Sequence, residues 1–119
     1  VIHFLGERRY ACMRAGIDEE RLVLDPGFGF GKNDEHNLRI LARLDECRNL
    51  GLPILVGLSR KRTLGNLTGK GADARIAAGI AAAVMAIERG ANIIRTHDVG
   101  ETVDAVRVVV AVAEAGRDE

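Results

Sequence analysis

No excess of charge of either sign marks this sequence, because 17 Lys and Arg offset 17 Asp and Glu. A chain without a net field has no general attraction for nucleic acid or for an anionic membrane, so any anion site must be local. Cysteine is scarce as well. Cys12 and Cys47 both fall in helical patterns beside apolar neighbours and read as reduced core thiols, not as a disulfide or half of a metal site. Long apolar runs are missing too: the longest, 76–87, falls short of the ~20 residues that span a bilayer. No signal-peptide pattern and no low-complexity linker stand out. The expectation is a cytoplasmic protein of one domain at most, with no nucleic-acid or membrane partner. Its 47% hydrophobic content is enough for a real core.

What the chain does have is concentrated in one stretch, Asp25-Pro26-Gly27-Phe28-Gly29-Phe30-Gly31-Lys32. It follows Arg21-Leu22-Val23-Leu24, a short apolar run that reads as a buried strand. A strand-to-helix turn needs one glycine; three alternating glycines let backbone N–H groups face inward and let a ligand approach the main chain. The loop matches no familiar nucleotide motif. Gly27 lies too close to Gly31-Lys32 for a P-loop, and Asn33 stands where Ser or Thr would hold Mg²⁺. For the dinucleotide fingerprint the third glycine is misplaced, and no acid ends the next strand.

Around this loop the pattern is αβαβαβα. Residues 1–15 form a first amphipathic helix stopped by Gly16. After the strand 21–24, Asp34 is a fair N-cap for a helix whose Ile40, Leu41, Leu44 and Cys47 share a face, ending near Gly51. Residues 53–57 are a second strand, with proline at its tolerated first position. A long polar loop, 58–71, follows. Asp73 then caps a helix running to Arg89, with an Ile76, Ile80, Val84 and Ile87 stripe and alanines on much of the rest. A helix apolar almost all round must be covered on more than one side, deep in a large domain or at a subunit interface. Residues 92–96 are a third strand, and 101–115 a last helix with Val103, Val106, Val110 and Ala113 inward.

Strands that are solid apolar runs between helices imply a parallel sheet covered on both faces. They recur at about the period of a (β/α)₈ barrel, but three strands cannot close one and would leave two edges open. The chain also starts at Val1 within an expected helix, so a piece of something longer is expected. In parallel α/β folds ligands sit at the carboxyl ends of strands. That rim would carry Asp25 and the glycine loop, then Gly57 with Ser59, Arg60, Lys61 and Arg62, then Arg95, His97 and Asp98. One carboxylate facing several cations suits a ligand with an anionic end and an N–H-rich end.

Each residue also has a plain structural reading. Asp25 before proline can simply start a turn. The run 60–62 can be a solvated loop, with Lys61 the best placed of the three. A guanidinium at the end of a buried strand, as at Arg95, needs an anion or a carboxylate, and Asp98 could supply it. His97 stands two residues on, on the same side of an extended segment. His3 and His36 read as surface.

The three rim segments, Asp25 to Lys32, Gly57-Leu58-Ser59-Arg60-Lys61 and Arg95-Thr96-His97-Asp98-Val99, together resemble the last three strand ends of the dihydropteroate synthase family. Phe4-Leu5 with Arg8, and His36-Asn37-Leu38, fit the same pattern, and the resemblance covers nearly the whole chain. Thr96 departs from it, where an apolar residue is usual, as does Ile80, where a small hydroxyl residue is common. The resemblance implies a transferase of folate biosynthesis. Such an enzyme joins p-aminobenzoate to 6-hydroxymethyl-7,8-dihydropterin pyrophosphate, releases pyrophosphate with Mg²⁺, and is the target of sulfonamides.

By that resemblance Asp25 and Lys61 would bind the pterin, Phe30 and Ser59 would line the p-aminobenzoate pocket, and Arg95 and His97 would hold pyrophosphate. Lys61, Arg95 and His97 would be the catalytic set. It further implies that residues 1–119 are a single partial domain, α/β in class, the C-terminal portion of a TIM (β/α)₈ barrel at about strands six to eight. The main Mg²⁺ ligand would then lie in the missing N-terminal part, with no metal ligand in this chain, and the isolated chain would be inactive. A homodimer is expected through the 73–89 helix. Two other readings are a pterin-binding methyltransferase, which has no use for the cations at 61, 95 and 97, and a non-catalytic half-barrel acting as an assembly module.

Overall fold

The computed structural model describes residues 1–28, 33–58, 62–69, 71 and 76–117. Two short parallel strands form its centre: β1, Leu55–Val56, pairs with β2, Ile93–Ile94, in the register Leu55↔Ile93 and Val56↔Ile94. The expected first strand is reduced to a single parallel bridge, Leu24↔Ile54, on the other side of β1. Arg21 belongs instead to a 3₁₀ turn, Glu19–Arg21. Backbone bonds from Leu24 N to Pro53 O and from Leu55 N to Leu24 O, both 2.8 Å, fix that bridge. The order across the sheet is therefore Leu24, β1, β2, with β1 central. Asp25, Gly57 and Arg95 each follow the last paired residue of their segments.

Helices surround this sheet. α1 covers Ile2–Arg14 and buries only Leu5. Its Phe4 and Tyr10 remain 61% and 63% exposed. α2, Asp34–Ala42, starts at the expected cap itself: Asn33, one residue earlier, is the N-cap, its side chain accepting the His36 N–H at 2.8 Å. The same turn direction continues as a 3₁₀ segment, Leu44–Leu50, instead of one long α-helix. Leu41, Leu44 and Cys47 are buried along this pair, as their spacing predicts. Each of the two leucines contributes about 1.5–3 kcal/mol by leaving water.

The long polar loop contains a helix that periodicity did not reveal, α3, Arg62–Thr68. α4 runs Ile76–Glu88 and packs chiefly on α5, Val99–Arg117. Of the apolar faces expected on α4, the alanine face is the inward one. Ala82, Ala83 and Ala86 are buried, whereas Ile76 is exposed. Small side chains on this face let the helix lie close against the core, which Ala82 and Ala86 join. On α5 only Thr102 is buried, and Val103 and Val110, expected inward, are exposed. Gly90, at φ 105°, ends α4 in the left-handed conformation that glycine alone adopts without strain.

The core joins Leu24, Phe28, Leu44, Ile54, Val56, Leu58, Leu64 and Ala86 between sheet and helices. Phe28, placed at the rim by sequence, is 1% exposed and is a core residue. Cys12 and Cys47 are both free thiols, as expected. Among the described residues no helix is long and apolar enough to cross a membrane.

Candidate functional site

Parallel pairing places the carboxyl ends of the three segments on one rim, and two of the expected site residues meet there. The Asp25 Oδ2 atom lies 3.8 Å from Arg95 Nη1, while Asp25 Oδ1 accepts the Gly27 N–H at 2.8 Å. The second contact is a turn in which the carboxylate bonds its own backbone two residues on, with Gly27 at φ 74°. The turn reading of Asp25 is thus present in the geometry, with the carboxylate also facing Arg95. The carboxylate is 39% exposed and the guanidinium 55% exposed. A pair so open and so long contributes at most about 1 kcal/mol. Neither partner is locked: Asp25 keeps acceptor sites and Arg95 keeps N–H donors for a ligand.

The Arg95 backbone is fixed by its own N–H, which donates to Val56 O at 2.9 Å. Behind it, Thr96 ties the strand end to α5. Its Oγ1 accepts the Asp98 N–H at 3.1 Å and lies 3.2 Å from the buried Thr102 hydroxyl. The residue that departs from the family pattern therefore anchors the segment from which Arg95 and His97 project. His97 is exposed at the same strand end. Phe30, Ser59 and Lys61 lie outside the described residues, as do the other residues of 29–32 and Arg60.

A polar group that sequence reasoning missed sits beside this rim. Thr63, at the start of α3, donates its hydroxyl to Asp34 Oδ1 at 2.9 Å and accepts from Asn37 Nδ2 at 2.9 Å. Asn66 Nδ2 donates to Asp34 Oδ2 at 2.6 Å. The first turn of α2 is thus bonded to α3. Asn37 and Thr63 are buried, so each amide or hydroxyl needs its partner. One signal was available: Asn37 lies on the stripe that continues as Leu41 and Leu44, where an amide must be satisfied inside the protein.

Away from the rim, burial pushes the Cys47 thiol above its ordinary value, with Glu46 and Asp45 adding to the rise against the chain's amino terminus. No group of three His, Cys, Asp or Glu side chains gathers among the described residues as a metal ion would need.

The described rim thus carries an open carboxylate beside a guanidinium whose backbone is held by the strand pairing. The model for the family described as pterin binding enzyme matches residues 1–97, and the chain belongs to that family. Within it, the chain is 54% identical over 115 residues to the dihydropteroate synthase of Escherichia coli strain K12. That match covers 97% of this chain and 41% of the relative. The Haemophilus influenzae dihydropteroate synthase is 44% identical over 115 residues, again 97% of this chain and 42% of the relative.

Solved structures agree. The Yersinia pestis enzyme with a pterine–sulfa conjugate superposes with a TM-score of 0.92 at 46% identity, over 95% of this chain and 45% of that one. The Xanthomonas albilineans enzyme in complex with 7,8-dihydropteroate gives 0.92 at 50% identity, over 94% and 44%. The chain thus spans about two-fifths of the length of the curated relatives it matches.

Proposed function

We propose that this chain is the C-terminal part of a dihydropteroate synthase, a transferase of folate biosynthesis built on a TIM (β/α)₈ barrel, and that it carries about strands six to eight. The observation that carries this reading is the Asp25–Arg95 pair on a shared strand rim, in a chain whose fold follows solved dihydropteroate synthases. The substrates are 6-hydroxymethyl-7,8-dihydropterin pyrophosphate and p-aminobenzoate. Asp25 accepts hydrogen bonds from the ring N–H and amino groups of the pterin, assisted by Lys61. Phe30 and Ser59 line the p-aminobenzoate pocket, which sulfonamides also enter.

In the reaction a C–N bond forms between the p-aminobenzoate nitrogen and the pterin methylene carbon, and the C–O bond to pyrophosphate breaks. The nitrogen loses a proton, and negative charge collects on the leaving oxygen. Arg95 and His97 hold that charge, with Lys61 near the pterin end. Fixed cationic donors stabilise the departing anion without a protein nucleophile. Each such charged hydrogen bond contributes about 1.5–3 kcal/mol. Mg²⁺, whose main ligand would lie outside this chain in this reading, would neutralise charge on the pyrophosphate.

The exposed apolar side chains of α4 and α5, among them Met85, Val103 and Val108, support a homodimer formed through these helices. A cytoplasmic location fits such a biosynthetic enzyme. Calorimetric titration of pyrophosphate into the chain and into an Arg95→Ala/His97→Ala variant tests the anion assignment. The chain binds and the variant does not if the reading holds; equal binding by both removes these residues from the site.

A further inference from the structure

Asp25 and Arg95 do not sit on neighbouring strands. Leu24 bridges to Ile54 on one side of β1, and β2 pairs with the other side. Strands lie about 4.8 Å apart, so the ends that bear Asp25 and Arg95 are separated by roughly twice that distance. The central segment between them ends at Gly57. The Arg95 guanidinium closes the gap by passing over this residue: a Cβ built at Gly57 would lie 2.6 Å from Arg95 Nη2, 2.9 Å from Nε and 3.0 Å from Cζ. Gly57 is not among the glycines with positive φ, so its backbone conformation is open to any residue. Its neighbours Val56 and Leu58 are buried and hold the main chain in place. The three atoms nearest that Cβ all belong to the guanidinium group.

We propose that Gly57 is a positioning residue, whose missing side chain forms the saddle across which Arg95 reaches Asp25. A methyl group would leave the backbone and core intact and displace the guanidinium, the mobile end of a flexible side chain. The loss would fall on anion binding, which rests on the reading of Arg95 given above. A general loss of folding would be a different outcome.

Two measurements on Gly57→Ala separate the inference from that reading. In the variant's crystal structure the guanidinium should stand away from the strand end and no longer approach Asp25; an unmoved guanidinium overturns the proposal. In pyrophosphate titrations Gly57→Ala should weaken binding roughly tenfold, the loss of about one charged hydrogen bond, in the wild-type background and have no further effect in Arg95→Ala. An equal loss in both backgrounds also overturns it. If the unaltered chain binds no pyrophosphate, the assignment of Arg95 fails, and the crystal structure still decides the role of Gly57. If Gly57→Ala does not fold, Gly57→Ala/Arg95→Ala should fold, since the clash is gone. A double variant that also fails to fold counts against the saddle.

Discussion

Arg95 Nη1 stands 3.8 Å from Asp25 Oδ2, too far for a hydrogen bond and near enough for the two charges to face one another. In the proposed function that spacing has a use. A tight bidentate pair would satisfy both groups and leave a ligand little to gain. At 3.8 Å, and with both side chains open to solvent, an N–H-rich ring can take the carboxylate while an anion takes the guanidinium.

Asp25→Asn should keep the fold and lose the ring. The amide oxygen can still accept the Gly27 N–H that shapes the turn, but the group no longer carries the charge that favours N–H donors. With this chain replacing the matching segment of the Escherichia coli relative, pterin binding should weaken about ten- to hundredfold, while Tm changes little. Calorimetry showing unchanged affinity would take Asp25 out of the site.

The bond between α2 and α3 should be costly to break. Thr63→Val leaves the buried Asn37 amide and Asp34 without the hydroxyl they share. A loss of about 1–3 kcal/mol is expected in urea unfolding. Thr63→Ser, which keeps the hydroxyl, should recover most of it. Equal destabilisation by Val and Ser would point to packing instead.

Alkaline pH should weaken the fold through Cys47. Burial raises this thiol above its ordinary value of 9.0, so the folded chain keeps the proton longer than the unfolded chain does. That contribution is fully present at neutral pH and declines as pH rises past 9.0 towards the higher folded value. Urea unfolding at several pH values should show a steeper alkaline decline for the wild-type chain than for Cys47→Ala. Parallel curves would contradict this.

The dimer proposed through α4 and α5 should depend on Met85, which is 42% exposed. Met85→Glu is expected to sediment as a monomer at micromolar concentration where the wild-type chain sediments as a dimer. Ala82 and Ala83, at the centre of the alanine run, are unsuitable for this test. They are buried, and Glu at either would damage the fold itself. A monomeric wild-type chain ends the proposal.

The alternation of helices with the two parallel strands β1 and β2, and the rim they share, were legible because apolar runs, glycine stops and proline placement act locally. The Leu41, Leu44 and Cys47 face followed from helical spacing alone. What was not legible depended on neighbours. Residues 21–24 look like a strand, yet only Leu24 has a partner, and Arg21 turns into a 3₁₀ segment. On α4 the apolar residues run almost all round, so spacing did not say which face turns inward; the alanine face does. Arg60, Lys61 and Arg62 drew attention as charge, while the adjacent Thr63 carries the bonds from α3 to α2. Gly57 read as the end of a strand, and its role depends on a guanidinium from a strand that comes 38 residues later.

The most direct test of the central claim is turnover by a chimera in which this chain replaces the matching 41% of the Escherichia coli dihydropteroate synthase. The chimera should form dihydropteroate from p-aminobenzoate and the pterin pyrophosphate ester, and Arg95→Ala in it should lower kcat/KM about ten- to hundredfold. A folded chimera with no turnover, or one indifferent to Arg95→Ala, would contradict the account.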